Sequence, residues 1–204
     1  MEKRSKYFQC GVGDVDITGC RIGVYPMSDD YVPIILGAID KTDTQRVWSQ
    51  TDSMGTIFRG QQKDVIETSK ALFCNAFRDK VHMTSSMTFS NGCPGDVEAD
   101  YLKAIKTMEE YPRHPYSDKS CEAVISFYTF ARNDYMERIH DVIELCDSLG
   151  VYENKSHYST VLTGSIEEIF NAYDQILTYA HENLEHYVLE TILSVNSPSK
   201  EGKF

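Results

Sequence analysis

From residue 122 onward the apolar positions change period several times. Glu122 to Tyr128 alternates, which is a strand pattern. Tyr135, Met136, Ile139, Val142, Ile143, Cys146 and Leu149 then recur every three or four residues, marking one face of a helix. Gly150 follows where a helix C-cap belongs. Two short strands are predicted over Val151–Ser156 and Tyr158–Thr163. Ser165, with Glu168 three residues on, has the spacing of a capping box. It opens a helix striped by Ile166, Ile169, Phe170, Tyr173, Ile176, Leu177 and Ala180, and a last strand runs from about Tyr187 to Val195.

The first half repeats this order more loosely. A strand is predicted over Arg21–Tyr25, and a helix over 30–41 with Pro33 in its first turn. Strands follow over Val47–Thr51 and Thr56–Arg59. Val65, Ile66, Leu72, Phe73, Ala76 and Phe77 stripe a second helix, and a strand over Val81–Phe89 closes the unit. A shift of about 104 residues lays Val47-Trp48 on Val151-Tyr152 and Thr56 to Gly60 on Thr160 to Gly164. It also brings His82 onto His186, Ser90 onto Ser194 and Pro94 onto Pro198. A shift of 103 lays Ile22 to Tyr25 on Ile125 to Tyr128.

Strand, helix, strand, strand, helix, strand, stated twice, predicts an α+β chain of two ferredoxin-like βαββαβ units. Each has an antiparallel sheet with both helices on one face. The units are predicted over 19–96 and 121–198. A linker over 97–120 contains a helical-looking piece that stops at Tyr111-Pro112-Arg113-His114-Pro115. The second face of each sheet is left open, and a tandem partner or a second chain is expected to cover it.

Composition narrows the function. The 204 residues carry a net charge of −11, with 41% hydrophobic and 25% charged residues. That is ordinary globular usage, and the acidic balance argues against a nucleic-acid partner. No apolar run approaches a membrane span, and no apolar stretch follows the charged start Met1 to Lys6, so neither a membrane span nor a signal peptide is read here. The six cysteines are scattered without a CxxC pair, which suits reduced, packed thiols better than a disulfide framework. Asn154-Lys155-Ser156 matches a glycosylation acceptor, read as chance without a secretory route.

Several motifs resemble catalytic ones and fail on spacing. His181 and His186 are five residues apart, whereas a zinc-protease helix needs i, i+4 to put both on one face. Gly11-Val12-Gly13-Asp14 lacks the third glycine and the preceding strand of a dinucleotide loop. No nucleophile elbow is present. The histidines and cysteines are therefore expected to be surface or packed-core side chains, with no catalytic residue, metal ligand or cofactor assigned.

Strand parity points elsewhere. Val81, Met83, Met87 and Phe89 form the apolar face of one closing strand, and Tyr187, Leu189, Leu193 and Val195 that of the other. Ser85 and Thr191 share those faces. Thr56 and Thr160 face the same way as Phe58 and Leu162. A hydroxyl on a core face needs a partner, either nearby backbone or a small polar ligand held between sheet and helices. The ligand reading places Val24, Thr56 and Ser85 in one pocket and Phe127, Thr160 and Thr191 in the other. Asp52, beside the first hairpin, either makes a surface ion pair, accepts from a ligand's exocyclic amine or offsets a ligand's cationic charge.

Val24-Tyr25-Pro26-Met27, Thr42-Asp43-Thr44, Val47-Trp48, Thr51-Asp52, Arg59-Gly60 and Phe89 to Asp96 resemble the first repeat of the YkoF thiamine/hydroxymethylpyrimidine-binding proteins. Asp134-Tyr135-Met136, His157-Tyr158-Ser159 and Leu193 to Ser199 are similar to the second, so the resemblance spans roughly residues 19–200. It implies a cytoplasmic homodimer that binds thiamine or its pyrimidine moiety without catalysis, with one site per repeat and a link to a transporter in thiamine uptake or salvage. It matches Val24 and Thr56, and Phe127 and Thr160, to ligand-contacting positions. Ser53 stands where the family tends to have histidine. Phe127 replaces a family leucine, which predicts a narrower second pocket. The alternatives are an enzyme on the same fold acting on another small molecule, or a regulatory interaction module.

Overall fold

The computed structural model describes residues 17–91, 100–130 and 132–201. Cys10, Cys93, the Gly11 to Asp14 segment and the Gly92 to Asp96 motif lie outside them. The first repeat runs β1 (Thr18–Pro26), α1 (Tyr31–Lys41), β2 (Trp48–Asp52), β3 (Gly55–Gly60), α2 (Gln62–Ala76) and β4 (Met83–Asn91). A four-residue helix, α3 (Asp100–Lys103), lies in the crossover. The second repeat runs β5 (Ser120–Thr129), α4 (Tyr135–Ser148), β6 (Tyr152–Ser156), β7 (Ser159–Ser165), α5 (Ile166–Asn183) and β8 (Tyr187–Val195).

The strands form one antiparallel sheet in the order β2-β3-β1-β4-β8-β5-β7-β6. Each half is a ferredoxin-like sheet, and the two join through β4 and β8. Met87 sits opposite Thr191, two positions related by the 104-residue shift, so a local two-fold axis passes between them. Duplication has turned an edge strand that would invite unwanted pairing into the centre of the sheet. Polar side chains reinforce this seam on the open face. The Ser90 hydroxyl donates to the Tyr187 carbonyl at 2.9 Å, and the His82 ring lies 3.1 Å from the Ser194 hydroxyl.

This arrangement corrects one expectation. The tandem partner does not cover the open face of its neighbour. It extends the sheet sideways, so α2 and α5 pack side by side on one face and the other stays open across both repeats. Val124, Tyr128 and Ile192 are exposed there. Beneath the helices a single core runs through both halves, from Phe58 and Phe73 to Phe170 and Leu193. Among the described residues no helix is long and apolar enough to cross a membrane.

Local chemistry explains the element ends. The Ser165 hydroxyl accepts from the Glu168 N–H at 3.2 Å, while the Glu168 carboxylate accepts from the Ser165 N–H at 2.7 Å. This is the capping box expected from the spacing. Gly150 ends α4 at φ 74°, and the Gly150 and Val151 N–H groups return to the Asp147 and Cys146 carbonyls. Gly55 opens β3 at φ 149°, and a Cβ there would lie 2.5 Å from the Ile22 carbonyl oxygen. Gly55→Ala is therefore expected to destabilise the fold by about 1–3 kcal/mol. Urea denaturation checks this, and an unchanged midpoint would show that β1 can give way.

Candidate functional site

Each repeat has a hollow between its sheet and its first helix. The first helix of each repeat leans on its neighbouring helix and on the first strand; in the first repeat the outer strand, β2, is left half or fully exposed, while in the second α4 also touches the outer strand β6. The helix therefore overhangs the sheet margin without filling it. The first hollow has a volume of about 430 Å³ and lies between Val24 of β1, Ile35 and Ile39 of α1, and Thr51 and Thr56 of the hairpin. The second, about 610 Å³, lies between Phe127 of β5, Ile139 and Val142 of α4, and Thr160 of β7. Both fall in the size range of small-molecule sites, about 300–1,000 Å³, and both are lined mainly by apolar atoms.

Strand parity sets the floor of each. Thr56 lies opposite Ile22, and Thr160 opposite Ile125, so both threonines face the helices. Thr56 is buried, and its hydroxyl lies 2.9 Å from that of Thr51 across the hairpin. Each of the two can donate to the other or to a ligand. Val24 and Phe127 occupy corresponding places one strand further in, both buried.

The Phe127 ring lies against Tyr187, with centroids 6.3 Å apart and planes 30° from parallel, and the hollow it lines is larger than the first.

Ser85 and Thr191 lie away from the walls of both hollows. The Ser85 hydroxyl donates to the Gly23 carbonyl at 2.7 Å, and the Thr191 hydroxyl lies 2.6 Å from that of Tyr173. Their needs are met inside the core, which is the backbone-or-neighbour alternative rather than the ligand one. Nor do they correspond under the repeat. Ser85 matches Leu189 and Thr191 matches Met87.

Asp52 contributes to the rim of the first hollow, but its carboxylate turns to the open face of the sheet. Its two oxygens accept from the Arg21 guanidinium at 3.1 and 3.0 Å, and Oδ1 also accepts from the Met54 N–H. The Arg21 hydrogen bonds hold its carboxyl below the ordinary range. The surface ion pair is therefore its observed role, with Arg21 as partner.

Other groups stand apart. His181 sits in the last turn of α5, and His186 lies beyond the helix, against Phe130. Cys20, Cys74, Cys121 and Cys146 are buried, and burial pushes the Cys20, Cys74 and Cys146 thiols up to about 12, well away from a reactive thiolate. Among the described residues no group of three or more His, Cys, Asp or Glu side chains could hold a metal ion.

The sequence reading missed Thr51, although pairing Thr51 with Thr56 across a tight hairpin would have put both on one face. It also missed Tyr31 and Tyr135. These open α1 and α4 at positions related by the 104-residue shift, and each lines its own hollow while about half exposed. Their shared place in the repeat was the available signal.

The YKOF-related Family model matches residues 17–96 and 120–200, one match per repeat. A relative from Bacillus subtilis (strain 168), named "Putative HMP/thiamine-binding protein YkoF", is 32% identical over 194 residues, covering 94% of this chain and 96% of its own length. With two matched repeats that coincide with two ferredoxin-like halves, each enclosing a hollow, the chain belongs to the YkoF-related family.

Proposed function

We propose that each hollow binds thiamine or its hydroxymethylpyrimidine moiety without catalysing a reaction, in support of thiamine uptake or salvage. The carrying observation is the duplicated hollow itself, apolar-walled, with a buried threonine on its floor and a tyrosine at the head of its first helix. A flat heteroaromatic ring suits such walls, and its ring nitrogens and amine can exchange hydrogen bonds with the hydroxyls. The relative's name, with its reference to HMP and thiamine, supports the same ligand class.

In this reading Val24 and Thr56 contact ligand in the first site, and Phe127 and Thr160 in the second. Ser85 and Thr191 stiffen the core behind them. Asp52, tied to Arg21, holds the first hairpin in position. The protein acts in the cytoplasm, with a functional link to a thiamine-precursor transporter. It pairs with a second copy that covers the exposed Val124, Tyr128 and Ile192 of the open face.

Calorimetry with thiamine, and separately with the free pyrimidine, tests the reading. Heat from both is expected, with up to two ligands per chain. No heat at millimolar ligand rejects it, and turnover of the ligand by the purified protein would replace binding with catalysis.

A further inference from the structure

A third cavity lies on the far side of α2 from the sheet. Its walls are the outer surface of α2, the segment after α1 from Lys41 to Arg46, and the crossover 108–115, and its volume is about 400 Å³. It is not part of the duplicated design. In α5 the outward positions Glu168, Asn171, Gln175 and Thr178 are exposed, whereas their α2 counterparts Asp64, Glu67, Ala71 and Cys74 are buried. The difference is the crossover, which passes over α2 and bonds to it through Tyr111 and His114.

The floor of this cavity carries a buried carboxyl with one oxygen left without a hydrogen-bond donor among the described residues. Asp64 is 1% exposed. Its Oδ1 accepts from the Tyr111 hydroxyl at 2.6 Å, but among the described residues no donor reaches its buried Oδ2. The other cations nearby are engaged or solvated. Lys70 Nζ lies 2.9 Å from Glu67 and 2.7 Å from Glu167. Arg46 donates to the Lys106 carbonyl, and Lys41 and Arg113 stand exposed at the rim. Burial pushes the Asp64 carboxyl above its ordinary range, in spite of the Tyr111 hydrogen bond and the nearby charge of Arg46. A buried carboxylate oxygen without a donor is costly, and a donor supplied from outside removes that cost. Ala71, Met108, Pro112 and Pro115 supply apolar wall beside it.

We propose that this cavity is a third binding site, for a small organic cation whose ammonium or amidinium group donates to Asp64 Oδ2 while an apolar body lies against Met108 and the two prolines. The site is independent of the two hollows. It faces away from the sheet and involves none of their residues, so the thiamine reading can fail while this one stands.

The test uses the full chain and three probes of one shape: benzylamine, benzyl alcohol and benzoate. Amide shifts in two-dimensional NMR locate each probe and give its affinity. The expected result is that benzylamine shifts the amides of Asp64, Thr68, Asn75 and Tyr111. Benzyl alcohol should bind at least ten-fold more weakly, and benzoate should leave these amides unmoved. Asp64→Asn, which keeps the shape of the side chain, should lower benzylamine affinity ten-fold or more and leave thiamine binding unchanged. Where that variant does not fold, the ratio of amine to alcohol in the unaltered protein decides. Equal binding of amine and alcohol, shifts confined to the two hollows, full affinity in Asp64→Asn, or a cavity that holds only water would each overturn the proposal.

Discussion

Replacing Lys70 with methionine is expected to cost about 3–5 kcal/mol of unfolding free energy at neutral pH. The Lys70 side chain is 5% exposed and bridges Glu67 of its own helix to Glu167 at the start of α5. It ties the two repeats together and neutralises a carboxylate that is itself only 9% exposed. Methionine fills much the same space but leaves Glu67 facing Lys63 at 4.0 Å and His114 at 3.5 Å, both poorer partners. Adding Glu67→Gln to the variant should recover much of the loss, because the penalty comes from the stranded charge rather than from missing contact. Urea unfolding of the three proteins provides the check. A single variant as stable as the parent would show that Lys63 and His114 suffice.

The pH dependence of that difference has a definite sign. Burial alone would raise the Glu67 carboxyl, but hydrogen bonds from His114 and Lys70 override it and hold it below its ordinary 4.5. Its contribution is present above 4.5 and fades as pH falls through the lowered value. Burial alone would likewise lower Lys70, but Glu167 and Glu67 raise it above 10.5, so its contribution fades only as pH climbs through that raised value. The gap between parent and Lys70→Met should thus be widest between those limits and close in acid.

Thr56→Val should weaken ligand binding in the first hollow by about 1–3 kcal/mol, roughly 5- to 150-fold, and leave the second hollow unchanged. Valine keeps the branched shape, so the strand and the wall survive. Only the hydroxyl shared with Thr51 is lost. Thr51 is exposed and can turn to water, so little stability should go with it. Thr160→Val is the mirror experiment, with the loss confined to the second hollow. Calorimetry on both variants separates the sites, and an unchanged first-site affinity would remove Thr56 from the contact set.

The repeat, the order of elements, the capping box at Ser165 and the turn at Gly150 were legible along the chain. Each is written in short-range spacing, where a side chain meets partners three or four residues away, or an alternating face. That parity also put Thr56 and Thr160 on the helix-facing side. What became of each hydroxyl was a different matter. Ser85, Thr191 and Thr56 look alike in the sequence, yet the first reaches a carbonyl 62 residues back, the second a tyrosine on α5, and the third a neighbour across a hairpin beside a hollow. The same gap applied to Asp52, whose partner Arg21 lies 31 residues away.

By itself the sequence determined that this chain would build one small α+β unit twice and which faces of it would be apolar, because periodicity acts over a few residues. Only the tertiary structure decided that the two units share one sheet through β4 and β8, that a hollow remains beneath α1 and α4, and that the crossover buries Asp64 on α2. Those outcomes depend on which distant surfaces meet and how completely they fill the space between them, and no local spacing records that.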